Sequence, residues 1–153
     1  MLPLLRAGFI SLLVSVTFFT TANAGGNDSN YAQGSVWTIG YIETKPGKFN
    51  AYMNNLEDEW VRYIRAQRDD GDVLSYKILA VAAPRDGEPN LILMVEWKNM
   101  AVFDRSEEYW DELTKRLSGS TEKQIKSNID REELRNLRGE MIARELVFKS
   151  DLE

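Results

Sequence analysis

The 153-residue chain contains no cysteine and no histidine. Without cysteine there are no disulfides, so an exported domain of this sequence must be held by packing alone. Without histidine the chain lacks the commonest metal ligand and the usual general base near neutral pH. Together the two absences exclude Cys/His zinc sites, Ser-His-Asp and Cys-His nucleophilic machinery, and haem held by histidine. Basic residues are also short: 19 Lys and Arg stand against 24 Asp and Glu, a formal charge of −5. No basic cluster offsets that balance, so nucleic acid and anionic lipid are expected to be repelled. There is no Gly-rich phosphate loop to hold a nicotinamide or flavin, and no cofactor or metal is expected.

The one long apolar run is at the start. Arg6 precedes uncharged residues from Ala7 to Phe19, and Ala22-Asn23-Ala24 offers small residues at the positions a signal peptidase accepts. The alternative, a retained membrane anchor, suits the sequence less well. The uncharged stretch from Ala7 to Ala24 reaches only the lower edge of spanning length, its last five residues are polar or small, and no basic cluster follows. The expectation is a cleaved signal peptide over residues 1–24 and a periplasmic or secreted product with no membrane contact after cleavage. Removing 24 of 153 residues leaves 129, enough for one domain, with 18 basic against 24 acidic residues. Residues 25–34, rich in Gly, Asn and Ser, read as a flexible lead-in, and residues 35–150 as the folded domain. Asn27-Asp28-Ser29 matches the short glycosylation pattern.

The mature part alternates between two hydrophobic periods. Ser35 to Thr44 is rich in β-branched and aromatic residues, and Lys45-Pro46-Gly47 breaks it. From Lys48 the apolar residues Phe49, Met53, Leu56, Trp60 and Tyr63 or Ile64 recur at helical spacing, ending at Gly71, a left-handed cap. Val73–Ala83 and Asn90–Lys98 form a hairpin about a turn containing Pro84, Gly87 and Pro89. Met100, Phe103, Tyr109 or Trp110, Leu113 and Leu117 mark a second helix, with a break at Asp104 to Ser106. Ser118 to Leu137 is more polar and reads as one or two helical turns, with Asp130 capping over Glu133. Gly139 opens a last strand to Lys149.

The order is β-α-β-β-α-β, an α+β, ferredoxin-like arrangement with a four-stranded antiparallel sheet. Two helices cover one face of such a sheet, so the other should be polar in a monomer. It is not. Leu91, Leu93, Val95 and Trp97 fall on one face of the third strand and Ile92 and Met94 on the other. On the second strand Leu79 and Val81 oppose Leu74, Ile78 and Ala80. A second copy of the sheet is the expected cover, giving a homodimer. The alternative is that residues 118–137 fold across the face.

These features resemble the dimeric α/β-barrel superfamily, which includes antibiotic-biosynthesis-type monooxygenases. The resemblance rests on the strand ending in Lys45-Pro46-Gly47-Lys48-Phe49, the long first helix, the hairpin ending Val95-Glu96-Trp97, and the Tyr109-Trp110 helix. It covers Val36 to Lys149 and implies two sheets packed face to face as an α/β barrel, with a small cavity in each subunit between sheet and helices. The segment between the second helix and the last strand departs from the shortest members. No residue can be transferred as catalytic.

The candidate cavity residues are Trp37, Tyr41, Asn54, Trp60, Tyr76, Glu96, Trp97 and Trp110. Aromatic walls with a few polar groups suit a small apolar ligand, though the same aromatics serve equally as core and interface packing. Glu96 needs a partner on an otherwise apolar strand, and Arg144 is available. Glu107, Glu108, Asp111 and Glu112 read as a solvated face near a helix N-terminus. Asp69, Asp70 and Asp72 lack the spacing and closing glutamate of a calcium loop. The reading is an exported dimeric small-molecule binder. The rivals are a cofactor-independent oxygenase or isomerase acting on an apolar substrate, and a purely structural protein.

Overall fold

A computed structural model describes residues 29–152, so the expected leader and Asn27 lie outside the described residues. Strand β1 spans Tyr31–Thr44 and begins four residues before the expected Ser35. Its start looked like a lead-in because nothing local stabilises it. Pairing of Tyr31, Ala32 and Gln33 with Phe148, Val147 and Leu146 brings it into the sheet.

The first helical layer has three parts: α1 (Phe49–Asn55), a π-helical segment (Leu56–Val61) and α2 (Arg62–Asp69). The π-helical segment changes the repeat. Leu56 and Ile64 of the expected stripe are buried and Met53 and Trp60 pack against the core, while Phe49 is 40% exposed and Tyr52 and Val61 are buried in addition. Gly71 closes α2 at φ +81°, with its N–H donating to the Arg68 carbonyl, as the sequence led one to expect.

Strands β2 (Val73–Ala80) and β3 (Leu91–Trp97) form the antiparallel hairpin, shorter at its turn end than expected. A 3₁₀ turn at Met100–Asp104 precedes α3 (Glu107–Ser118), and the helix breaks where expected. The polar segment is more regular than its composition indicated. Helix α4 runs from Thr121 to Glu132, capped by the Ser120 hydroxyl, which accepts from the Lys123 N–H. Asp130 is therefore not a cap; it lies inside the helix and pairs with Lys126 at 2.7 Å. Strand β4 spans Arg135–Phe148 and starts four residues before Gly139.

All four strands are antiparallel in the order β2-β3-β1-β4, the ferredoxin-like arrangement, with α4 added before the last strand. The register sorts the side chains. Val36, Thr38, Gly40 and Ile42 oppose Trp97, Val95, Leu93 and Leu91. That face meets the helices and carries two core clusters, one around Val36, Ile64, Val73 and Val95, the other around Ile42, Tyr52, Leu56 and Leu91. Trp60 packs against both. Each fully buried aliphatic side chain contributes roughly 1.5–3 kcal/mol.

The other face presents Trp37, Ile39, Tyr41, Ile92 and Met94, all half-buried, with Leu79 and Met141 exposed. It is as apolar as the sequence indicated, except that Leu74 sits at a register shift between Val73 and Ser75 and is 51% exposed. Helix α4 does not cover this face. Its Arg131 shares a cavity with Tyr52 and Leu56 on the helical side. Among the described residues, no helix is long and apolar enough to cross a membrane.

Candidate functional site

A cavity of about 200 Å³ lies between the helix-covered sheet face and the helices. Its sheet wall is Thr38, Gly40, Ile42, Leu93 and Val95, and its helical wall is Tyr52, Leu56 and Trp60. Gly40 helps to make the space. It sits mid-strand, where a β-branched residue would ordinarily fit, and a Cβ there would meet nothing within 4 Å. A glycine inside a strand often marks a place where another group approaches the backbone closely. The π-helical segment contributes Leu56 and Trp60 to the cavity, and such segments recur at functional sites.

The polar side is built by the join of α4 and β4. Arg131, from the last turn of α4, and Arg135, the first residue of β4, both line the cavity, together with Glu140. Lys45 N–H donates to the Leu134 carbonyl at 2.9 Å and ties this join to the end of β1. The Arg131 Nε–H donates to Asn55 Oδ1 at 3.1 Å. Among the described residues, no carboxylate lies within 4 Å of Arg131. Burial, and then the neighbouring Arg135 cation, lower the pKa of Arg131, and Tyr52, Glu59 and Glu132 oppose that shift.

Arg135 is 15% exposed and donates to Glu132 Oε1 at 3.2 Å. Its Nε–H is buried without an acceptor, and its guanidinium lies 5.9 Å from the centre of the Tyr52 ring. Burial raises the Tyr52 pKa, while Arg135 and Arg131 pull it back. A second cavity of about 180 Å³ adjoins the first across Trp60 and Arg131, and is lined also by Glu59, Tyr63, Thr114 and Gln124. There Tyr63 Oη donates to Gln124 Oε1 at 2.7 Å and lies 3.0 Å from Ser118 Oγ, which pins α4 to α2 and α3.

The eight candidates from the sequence are not brought together. Trp60 alone among them lines the main cavity. Trp37, Tyr41 and Glu96 lie on the open sheet face. Trp97 is buried in the core, its indole N–H donating to Thr38 Oγ1 at 2.9 Å. Tyr76 packs edge-on against Trp60 with ring centres 5.7 Å apart. Asn54 is exposed in a groove with Met53, Arg65 and Tyr76. Trp110 stacks on Tyr109 in α3. Glu96 is not paired with Arg144. It accepts from Ser75 Oγ at 2.6 Å and Ser35 Oγ at 2.9 Å, while Arg144 donates to Gln33. The small hydroxyls are nearer neighbours in the register than the long arginine.

Sequence reading missed Tyr52, Arg131 and Arg135. One signal was present: two arginines four apart, one in the last turn of α4 and one opening β4. It is indistinguishable from a solvated face without knowing which side the helix turns to the sheet.

A second charged cluster uses the aspartates after α2. Asp72 is buried and takes a two-pronged contact from Arg105, at 2.6 and 3.1 Å. Asp70 accepts from Arg116 at 3.0 Å and from Tyr109 Oη at 3.0 Å. The Arg105 guanidinium lies 4.9 Å over the Tyr109 ring. These groups clamp α3 to the start of β2.

No protein-family model matches the chain, and no curated protein matches it. Among solved structures it is similar to a Shewanella oneidensis protein, at 17% identity and a TM-score of 0.47 over 76% of this chain and 96% of that one. It is also similar to a dimeric ferredoxin-like protein from an uncultured marine organism, at 9% identity and a TM-score of 0.47 over 77% of this chain and 90% of that one. A Pseudomonas aeruginosa protein matches at 16% identity and a TM-score of 0.42, over 73% of this chain and 92% of that one. The ferredoxin-like class of this chain follows from its own strand order and connections.

Proposed function

We propose that the chain is an exported, homodimeric small-molecule-binding protein whose ligand occupies the cavity between sheet and helices. The carrying observation is that cavity itself: about 200 Å³ with apolar and hydroxyl-bearing walls, a strand glycine that leaves it open, and charged groups gathered on one side. Export is supported by Arg6, the apolar run and the Ala22–Ala24 site. Dimerisation is supported by the open face. Trp37, Ile39, Tyr41, Ile92 and Met94 form an apolar centre that a two-fold axis would place against itself, as in an α/β barrel. Binding is favoured over turnover because two of the three charged groups lining the cavity are guanidinium cations, which hold an anion but do not abstract a proton.

The test is native mass spectrometry of the protein recovered after export. A dimer of residues 25–153 with extra non-covalent mass is expected. Gly40→Val, which fills the cavity without a backbone clash, should lose that mass and keep the dimer. A monomer would overturn the dimer. A passenger retained undiminished by Gly40→Val would place binding elsewhere.

A further inference from the structure

We propose that the ligand of this cavity is a small monocarboxylate with a compact apolar body, its carboxylate held between the guanidinium groups of Arg131 and Arg135. The inference rests on the cavity being the binding site and adds the chemical class of what it binds.

Three observations carry it. First, the two arginines are under-partnered where they stand. Arg131 has one hydrogen bond, to a neutral asparagine, and no carboxylate within 4 Å among the described residues. Arg135 has one ion pair, to a glutamate that is 59% exposed and therefore screened, a contact with the Tyr52 ring, and a buried Nε–H with no acceptor. A guanidinium offers five donors in a planar fork that matches a carboxylate with two parallel bonds. Neither fork is matched by the protein. Burial and mutual repulsion make the Arg131 charge costly, as its lowered pKa reflects.

Second, the charge count selects a monoanion. Arg131 and Arg135 line the cavity with one carboxylate, Glu140. The lining groups alone carry one positive charge in excess, and Glu132, outside the lining and 59% exposed, offsets it only through a screened contact with Arg135, so a monoanion matches the site better than a dianion. Glu59 lies across the adjoining cavity and already pairs with Arg62 at 3.6 Å. A dianion would leave an uncompensated negative charge beside Glu140.

Third, size and walls select the rest of the molecule. About 200 Å³ falls below the range of roughly 300–1,000 Å³ that drug-sized ligands occupy. The remaining walls carry the apolar side chains of Ile42, Leu56, Trp60, Leu93 and Val95 beside the hydroxyls of Thr38 and Tyr52. An aromatic or short branched acid meets both conditions, with its ring or branch against the sheet and its carboxylate toward the α4–β4 join.

Titration calorimetry of the exported dimer with sodium benzoate, and separately with benzyl alcohol as the uncharged counterpart, tests this. Benzoate should bind at least about tenfold more tightly than the alcohol, the worth of one charge-assisted hydrogen bond. Arg131→Gln and Arg135→Gln should each weaken benzoate by a similar factor and leave benzyl alcohol unchanged. Arg131→Lys and Arg135→Lys keep the charge without the fork and should fall between. Unchanged far-ultraviolet circular dichroism certifies that a variant has folded, and a Lys variant replaces any Gln variant that fails this check. Equal binding of both probes would overturn the carboxylate inference and leave the cavity reading standing. Binding of neither would overturn both, and benzoate affinity unaffected by the arginine substitutions would overturn the assignment of those residues.

Discussion

Two parts of this molecule hold arginines against the core, and they treat the charge in opposite ways. At the α2–β2 corner, Arg105 and Arg116 meet Asp72 and Asp70 in direct ion pairs, and Tyr109 bridges toward both aspartates. At the α4–β4 join, Arg131 and Arg135 stand close enough to disfavour each other, and the nearer carboxylates are exposed or engaged elsewhere. The first corner is complete as it stands, and removing a partner can only expose a cost. At the second, Arg131 has no carboxylate within 4 Å among the described residues and Arg135 has only the exposed Glu132. On the proposed reading, a buried charge with its partner holds the fold together, while one without a partner leaves room for a ligand.

The comparison is most easily broken with single substitutions. Arg105→Ala leaves the Asp72 carboxylate buried with only the distant Tyr109 hydroxyl, 3.5 Å away, and should destabilise the domain more than any other substitution at this corner. Thermal or denaturant unfolding reads it directly. On the open sheet face, Met94→Lys should raise the dimer dissociation constant by about a hundredfold or more, since it buries an unpaired charge at an apolar centre. Sedimentation across a concentration series measures that shift.

Arg131→Met, without ligand, should cost little and even stabilise by up to about 1 kcal/mol, because the desolvated cation is removed and one hydrogen bond to Asn55 is lost. If it destabilised as much as Arg105→Ala, the two corners would be the same kind of structure and the contrast would collapse.

The smallest expected effect is on pH. Burial, and then the hydrogen bond to Asp70, push the Tyr109 pKa up to about 12 from 10.0. A pKa raised on folding gives stability that is present below pH 10.0 and is lost as pH rises toward 12. The hydrogen bond from Arg116 heads the causes that lower the Asp70 pKa, so its contribution is present above 3.8 and is lost as pH falls below that value. Unfolding midpoints should be flat well inside those limits, since Glu43, Glu88 and Glu122 also have pKa values lowered from 4.5. Tyr109→Phe should reduce the alkaline loss, the rest belonging to Tyr52, whose pKa burial also raises, and keep the acid one.

Much of the fold was legible because its signals are local. Alternation in β1 and β3, the punctuation at Pro46 and Pro84–Pro89, and the glycine that ends α2 each require only neighbouring residues. The apolar open face was also legible, since period-two alternation assigns both faces of a strand at once. The site was not. Its candidates were chosen as aromatics, and aromatics went where burial took them: Trp97 into the core, Trp37 and Tyr41 onto the open face, and Trp110 against Tyr109. The helical stripe was mostly right, but Tyr52 is buried in place of Phe49, and the π-helical segment adds a residue to the repeat and brings Val61 inward. Helix α4 was underread because Ile125 and Ile129 are 53% and 62% exposed and give it no apolar face to detect.

By itself the sequence determined the element order, the antiparallel sheet, the apolar character of both sheet faces, and the chemistries that a chain without histidine or cysteine cannot perform. These follow from composition and from periods of two and about four residues, which every element carries within itself. Only the tertiary structure decided that Glu96 is satisfied by two serines, that Asp72 is sealed by Arg105, and that Arg131 and Arg135 converge on a cavity left open by Gly40. Each of these depends on a register or a helix placement that joins residues far apart in the chain. Whether a charged side chain ends paired, solvated or buried without a partner is settled by that placement and by the burial it imposes.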